Sequence, residues 1–212
     1  MKKTVCILMC MLLAVSLVAC ADSGANKNAD GVSETVSDKA YSESGSETAS
    51  DKKTLVVYFS ATGSTKKAAE TIADFLNADT FEIVPEDPYT SDDLNWNNKD
   101  SRVSTEHSDE SKRNISLVKS VPDNWEQYGT VYIGYPIWWG IAAWPIGEFI
   151  SDNDFTGKTV IPFCTSASSG IGDSHRLLKE AAGSGNWLDG KRFSSNASEK
   201  DITEWLKKAS AN

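Results

Sequence analysis

A loop rich in hydroxyl side chains follows a short apolar run in the stretch LVVYFSATGSTKKAA, Leu55 to Ala69. The loop contains Ser60, Thr62, Ser64 and Thr65, and the residues after it have the apolar spacing of a helix. Hydroxyls and the free backbone N–H groups at the start of a helix bind anions, most often phosphate. The sequence therefore suggests a phosphate cradle, although such a loop taken alone is also explained as a helix cap.

Two common nucleotide-binding motifs do not match this loop. A Walker A loop needs two glycines and a lysine directly after the second, whereas Gly63 is single and is followed by Ser64. A dinucleotide fingerprint needs three glycines. The residues present suit a terminal phosphate monoester held by hydrogen bonds and by the helix dipole. Lys66 and Lys67 are expected to lie beyond the cradle and to point to solvent.

Two later segments carry side chains that suit a flat ring. The segment YPIWWGIAAWP, Tyr135 to Pro145, has adjacent tryptophans, and either Trp138 or Trp139 can stack on such a ring. The segment CTSASSGIGDS, Cys164 to Ser174, supplies small residues and backbone polar groups for the polar edge of the ring.

Strands and helices alternate from Thr54 onward, which predicts a doubly wound α/β domain with a parallel sheet. The predicted strands are Leu55 to Phe59, Thr80 to Val84, Thr130 to Tyr135, Lys158 to Phe163 and a short one around Lys191 to Ser194. Ligands of such sheets bind beyond the carboxyl ends of the strands, so we expect the three loops to converge. A phosphate at one end of that site and a flat heteroaromatic ring at the other describe flavin mononucleotide (FMN).

The connection Pro85 to Gly129 is too long for a simple link between the second and third strands. Its apolar residues are scattered among acids, asparagines and serines. We predict a helix near Ile115 to Ser120 and an irregular surface excursion before it. Elsewhere, a capping box at Ser198 and Asp201 predicts the start of a last helix.

The three loops together resemble those of a known family. VVYFSATGSTKKAAETI looks like the phosphate-binding signature of flavodoxins, and IGYPIWWG and PFCTSASSGIG look like the second and third FMN loops of flavodoxin-like flavoproteins. The resemblance covers Thr54 to about Asn212 and implies FMN as cofactor. It also implies a five-stranded parallel sheet in the order 2-1-3-4-5.

The resemblance further assigns roles to particular residues. The phosphate would be held by Ser60, Thr62, Gly63, Ser64 and Thr65. The isoalloxazine ring would be flanked by Pro136, Trp138, Trp139 and Gly140, with Gly140 leaving room near the redox-active N5, and its other edge would be lined by Thr165, Ser166, Ser168 and Gly170. No catalytic side chain is implied, because the flavin carries the redox chemistry.

Other residues that invite a functional role have simpler explanations. Trp144 is expected to pack on a helix, and Trp187 and Trp205 in the core, while His107 reads as solvated. With two histidines far apart, no metal site is supported.

The N-terminal segment has the pattern of an export signal. Lys2 and Lys3 precede an apolar run from Val5 to Ala19, which is short for a membrane span. LVAC then resembles the lipobox of bacterial lipoproteins, with Cys20 as the lipidated residue; the alternative is an ordinary cleaved signal with an incidental cysteine. We predict a signal at 1–19, a lipidated cysteine and disordered tether at 20–53, and an FMN-binding domain at 54–212.

The tethered domain would be lipid-anchored to a bacterial membrane, at the cell surface or in the periplasm. The other cysteines lie in the signal or at its end, so only Cys164 remains, and a small buried hydrophobe is its default role.

The acidic composition narrows the choice of partners and activities. A net charge of −9 argues against nucleic acid, because phosphate groups repel it. It also favours a low reduction potential and partner proteins with basic docking surfaces. The predicted function is electron transfer. The alternatives are an FMN-dependent NAD(P)H or quinone oxidoreductase with small quinone or nicotinamide substrates, and a non-redox binding module.

Overall fold

The computed structural model describes residues 52–209. The predicted signal, Cys20 and the tether as far as Asp51 lie outside the described residues. Within that part of the chain, no helix is both long enough and apolar enough to cross a membrane.

The described residues form one sheet with helices on both faces, and its strands are parallel except for the short β4, which pairs antiparallel with β3. The strands are β1 Lys53–Tyr58, β2 Asp79–Glu82, β3 Tyr128–Trp138, β4 Ile141–Ala142, β5 Thr159–Ser166, β6 Asn186–Trp187 and β7 Lys191–Ser194. The helices are α1 Ser64–Leu76, α2 Arg102–Ser108, α3 Ile146–Asp152, α4 Ser174–Ala182 and α5 Glu199–Ala209, with single 3-10 turns at Glu110–Lys112 and Trp125–Gln127.

The strand order is β2-β1-β3-β5, followed by β6 and β7, which both pair with β5 and share the fifth position. This confirms the flavodoxin-like α/β fold and the order 2-1-3-4-5, counted over the five sheet positions. The fifth strand is divided into β6 and β7 because β5 contains Pro162. The carbonyl of Val160 accepts from the Leu188 N–H at 2.9 Å, so Pro162, two residues further on, faces the same edge and has no N–H for the ladder.

Alternating strand residues build a core on each side of the sheet. Leu55, Val57 and Phe59 of the β1 segment belong to the cluster that includes α3, whereas Val56 and Tyr58 pack with α1 and α5. The first strand begins at Lys53, one residue before the predicted start of the domain. The predicted capping box is present, because Ser198 and Asp201 exchange hydrogen bonds between side chain and backbone.

The helix predicted near Ile115 to Ser120 was wrong. This segment is extended, with Ile115 and Leu117 buried and their neighbours exposed, and Leu117 forms an antiparallel bridge with Pro85. Its buried residues recur every second position, which is the period of a strand and not of a helix. The excursion instead contains α2, which begins where the Ser101 hydroxyl accepts from the Ser104 N–H.

Candidate functional site

The first loop is shaped by Gly63, which has a φ of 89°. The Gly63 N–H donates to the Ser60 hydroxyl oxygen at 3.1 Å, and the Gly63 carbonyl accepts the first N–H bond of α1, from Lys67, at 3.0 Å. The N–H groups before Lys67 therefore have no partner within the helix. A Cβ added at Gly63 would meet no atom within 4 Å, so the space at this turn is open.

The hydroxyls of the first loop divide into two groups. Thr62 and Ser64 line an open cleft at the carboxyl ends of the strands. Ser60 holds the turn closed, and Thr65 is buried, with its hydroxyl 2.7 Å from that of Thr165. Thr65 therefore also fixes the first loop against the end of β5. Lys66 pairs with Glu82 at 3.0 Å, on the β2 side.

The second loop is a two-residue hairpin turn between β3 and β4. Trp139 and Gly140 have φ values of 45° and 84°, and Trp138 pairs with Ile141 on the other side of the turn. A positive φ costs a bulky residue such as Trp139 roughly 1–3 kcal/mol, and such strain collects at functional sites. The Gly140 carbonyl approaches the third loop so closely that a Cβ on Gly172 would lie 2.7 Å from it.

The two adjacent tryptophans have different surroundings. Trp138 is half-buried and makes edge contacts with Phe59, Tyr89 and Trp144, with ring centroids 5.2 to 5.7 Å apart. Trp139 is 43% exposed and lines the cleft, and its indole stacks on that of Trp144 with centroids 6.2 Å apart. Trp144 is buried, as expected of a packing residue.

The expectation that His107 is solvated was wrong. Its imidazole stacks on the Trp139 indole, with centroids 4.3 Å apart and planes inclined by 22°. The contact exists because α2 docks beside the second loop. Arg113, just after α2, reinforces this docking by donating to the His107 carbonyl and by lying 4.6 Å from the centre of the Trp144 ring.

A buried carboxylate holds the excursion in place. Glu106 of α2 is only 4% exposed and accepts from the Tyr89 hydroxyl at 2.7 Å and from Arg102 Nε at 2.8 Å. The Arg102 guanidinium also lies 4.0 Å from the centre of the Tyr89 ring. Burial raises the pKa of Tyr89, and its hydrogen bond to Glu106 raises it further. Since Tyr89 packs on Trp138, this cluster connects the excursion to the second loop.

The third loop closes on itself and on β7. The Ser166 hydroxyl donates to the Ser169 carbonyl and accepts from the Arg192 side chain. Ser168 and Gly170 are exposed. Cys164 is fully buried, and burial raises the pKa of its thiol to about 12, so the thiolate is scarce at neutral pH.

The three loops meet around one cleft of about 640 Å³. Eight of the predicted site residues line it: Thr62, Ser64, Pro136, Trp138, Trp139, Thr165, Ser166 and Ser168. The other five are outside the lining and shape or flank the loops: Ser60, Gly63, Thr65, Gly140 and Gly170. The sequence left open whether the excursion covers the flavin site or is only solvated, and it did not identify the wall that the excursion supplies through Leu94, Trp96 and Val103.

These features fit FMN. Hydroxyls and helix N–H groups suit the phosphate, exposed indole surface suits the ring, and the serine loop suits its polar edge.

The sequence model of the Flavodoxin family matches residues 53–209. The chain belongs to the flavodoxin family. This membership confirms FMN as the predicted cofactor. No curated protein matches the chain.

Two solved structures share both sequence and fold with this flavodoxin-family chain. A Bacteroides uniformis protein assigned as a flavoprotein is 43% identical, with 74% of this chain and 98% of that one aligned and a TM-score of 0.68. A protein of the same assignment from Bacteroides eggerthii is 45% identical over 73% of this chain and 96% of that one, with a TM-score of 0.66.

A more distant structure shares the fold. It is a flavoprotein from Lactobacillus acidophilus in complex with FMN, 24% identical, with 73% of this chain and 99% of that one aligned and a TM-score of 0.54.

Proposed function

We propose that this flavodoxin-family chain is an FMN-dependent electron-transfer protein that works on the outer side of the cytoplasmic membrane. One observation carries the redox assignment. Among the described residues that line the cleft, none has a titratable side chain, so the lining offers no general acid or base and no base to activate its serine and threonine hydroxyls as nucleophiles. The bound FMN supplies the redox chemistry. Thr62 and Ser64 bind its phosphate, and the tryptophans of the second loop exclude water from the ring.

A second function is supported by the wall that the excursion adds. Trp96 is 70% exposed, although it lies in the cleft lining beside Leu94 and Val103. A flat apolar acceptor such as a quinone would bury this indole. An FMN-dependent NAD(P)H or quinone oxidoreductase is therefore the alternative. A non-redox binding module is disfavoured, because all three loops are intact.

A redox titration combined with a turnover assay tests the proposed function. We expect the full chain, reconstituted with FMN, to show flavin absorbance and a two-electron midpoint below that of free FMN. The reason is that an acidic protein, with a net charge of −9, opposes the negative charge gained on reduction. We also expect negligible NAD(P)H oxidation with a quinone, and salt-sensitive electron transfer to basic partner proteins.

Each result discriminates between the functions. Rapid NAD(P)H-dependent quinone reduction supports the reductase instead of the carrier. A midpoint above that of free FMN contradicts the electrostatic argument, and no flavin absorbance after reconstitution supports the non-redox module.

The cellular location is tested at Cys20. We expect the full chain expressed in a bacterium to partition with membranes and to incorporate labelled fatty acid, because the LVAC pattern ends in Cys20, which would become the new N-terminus. Cys20→Ala is expected to abolish the label and the membrane association. Wild-type chain recovered without label would mean that Cys20 is incidental to an ordinary signal.

A further inference from the structure

The third loop is held by an arginine from the neighbouring strand. Arg192 of β7 lies beside Cys164 in the sheet register, and its side chain reaches the end of β5. Its Nε donates to the Ser166 hydroxyl at 3.0 Å, and its Nη2 donates to the Ser166 and Ala167 carbonyls at 2.9 and 3.1 Å. Ser166 and Ala167 both line the flavin cleft. One guanidinium therefore fixes the backbone and the first hydroxyl of the loop.

The Ser166 hydroxyl connects Arg192 to a later residue of the same loop by a second hydrogen bond. It accepts from Arg192 and donates to the carbonyl of Ser169, which also lines the cleft. Since a planar guanidinium presents its donors in a fixed fork, it orients several acceptors at once. Ala167, Ser168 and Ser169 are exposed, so little packing holds the loop apart from these bonds.

The charge of Arg192 is also exceptional in this chain. The sequence contains four arginines, and three of them form ion pairs: Arg102 with Asp87 and Glu106, Arg113 with Glu110, and Arg176 with Asp173 and Glu180. Among residues 52–209, no carboxylate lies within 4.0 Å of Arg192. Its hydrogen bonds go to uncharged oxygens of the third loop.

The field of this uncompensated charge extends to the end of β5. Burial is the larger influence on Cys164 and raises the pKa of its thiol, whereas the nearby Arg192 charge lowers it. A positive charge at this place also acts against the acidic character of the rest of the chain. Reduction of FMN by two electrons, with uptake of one proton, adds one negative charge to the flavin, and a nearby cation stabilises that added charge.

We propose that Arg192 is a positioning residue that holds the third loop in its FMN-binding shape, and that its unpaired charge raises the reduction potential of the bound flavin. This inference rests on the proposed function, because it requires FMN in the cleft. The acidic surface still keeps the midpoint below that of free FMN, and Arg192 offsets part of that effect.

Arg192→Met tests both parts of the proposal, with Arg176→Met as the matched control. Arg176 lies on α4 with a half-exposed side chain and pairs with Glu180 and with Asp173 at the far end of the third loop. Its replacement therefore removes the same charge from the chain without removing a hydrogen bond to Ser166 or Ala167. The measurements on the full chain, purified in mild detergent, are the Kd of oxidised FMN by quenching of flavin fluorescence and the midpoint by spectroscopic titration with dithionite. Urea unfolding of each variant without FMN shows whether it is folded.

We expect Arg192→Met to raise the Kd of oxidised FMN about tenfold, because the hydrogen bonds that shape the loop are lost. The Kd of reduced FMN is expected to rise by a factor about ten times larger than that of oxidised FMN. This difference corresponds to a two-electron midpoint about 30 mV lower. Arg176→Met is expected to leave the Kd of oxidised FMN within about twofold of the wild-type value, because exposed ion pairs contribute little.

Arg192→Lys keeps the positive charge but loses the planar set of N–H donors that the guanidinium presents to Ser166 and Ala167. We expect its midpoint to stay near that of the wild type while its Kd for oxidised FMN rises, and this variant carries the test if Arg192→Met does not fold. The proposal is overturned if Arg192→Met has the Kd and midpoint of Arg176→Met, or if Arg192→Lys matches the wild type in both. If the wild-type chain binds no FMN, the proposed function fails, and this inference fails with it.

Discussion

Replacing Thr62 and Ser64 together with alanine is expected to weaken FMN binding by about 100-fold, while riboflavin binding stays nearly unchanged. Both hydroxyls line the cleft at the start of α1, where the helix also presents free N–H groups. Two hydrogen bonds to a charged phosphate, each contributing roughly 1.5 kcal/mol, account for a loss of this size. Riboflavin has no phosphate, so it does not use these bonds. Fluorescence quenching measures both affinities.

Lys66→Ala is the control for this prediction. Lys66 follows the same loop but pairs with Glu82 at 3.0 Å, so its removal is expected to change the FMN affinity by no more than about fivefold, the loss of an exposed ion pair. An equal loss of FMN and riboflavin binding in the double variant would show that the loop supports the ring and not the phosphate.

Replacing Glu106 with alanine is expected to lower the free energy of unfolding by about 3 kcal/mol, which is typical when one partner of a buried ion pair is removed. Glu106 is 4% exposed, and the loss of its carboxylate leaves Arg102 Nε and the Tyr89 hydroxyl without their acceptor. Urea denaturation of the protein without FMN measures the change. FMN binding should weaken as well, because Tyr89 packs against Trp138 of the second loop.

Asp87→Ala tests whether the stability lost in Glu106→Ala comes from the burial of the carboxylate or simply from the loss of an ion pair with Arg102. Asp87 contacts the same arginine at 3.1 Å, but its side chain is 88% exposed. We expect its replacement to cost at most about 1 kcal/mol, as for other exposed ion pairs. If both variants lose the same stability, the buried carboxylate is not what holds the excursion to the second loop.

Local patterns predicted the placement of the three loops. The first loop lies between β1 and α1 because an apolar strand, a glycine that tolerates positive φ, and an amphipathic helix are neighbours in the sequence. The second and third loops follow β3 and β5 because each of them also comes directly after an apolar strand in the sequence. Alternation of strands and helices then placed the loops at one end of a parallel sheet.

The excursion between β2 and β3 was poorly predicted, because its short elements carry weak periodic signals. A helix was predicted near Ile115 to Ser120 because the connection is long, although the burial of Ile115 and Leu117 alternates as in a strand. α2 spans only Arg102 to Ser108, which is too short for a clear apolar stripe.

By itself, the sequence determined the fold class, the family and the residues of the loops, since each of these depends on residues close together in the chain. Only the tertiary structure decided what surrounds the loops: His107 on Trp139, Glu106 beside Tyr89, and Arg192 on Ser166. The last pair is 26 positions apart and meets because β7 lies next to β5 in a particular register. Such contacts depend on which strands are neighbours and how they align, and no local pattern of residue types specifies either one.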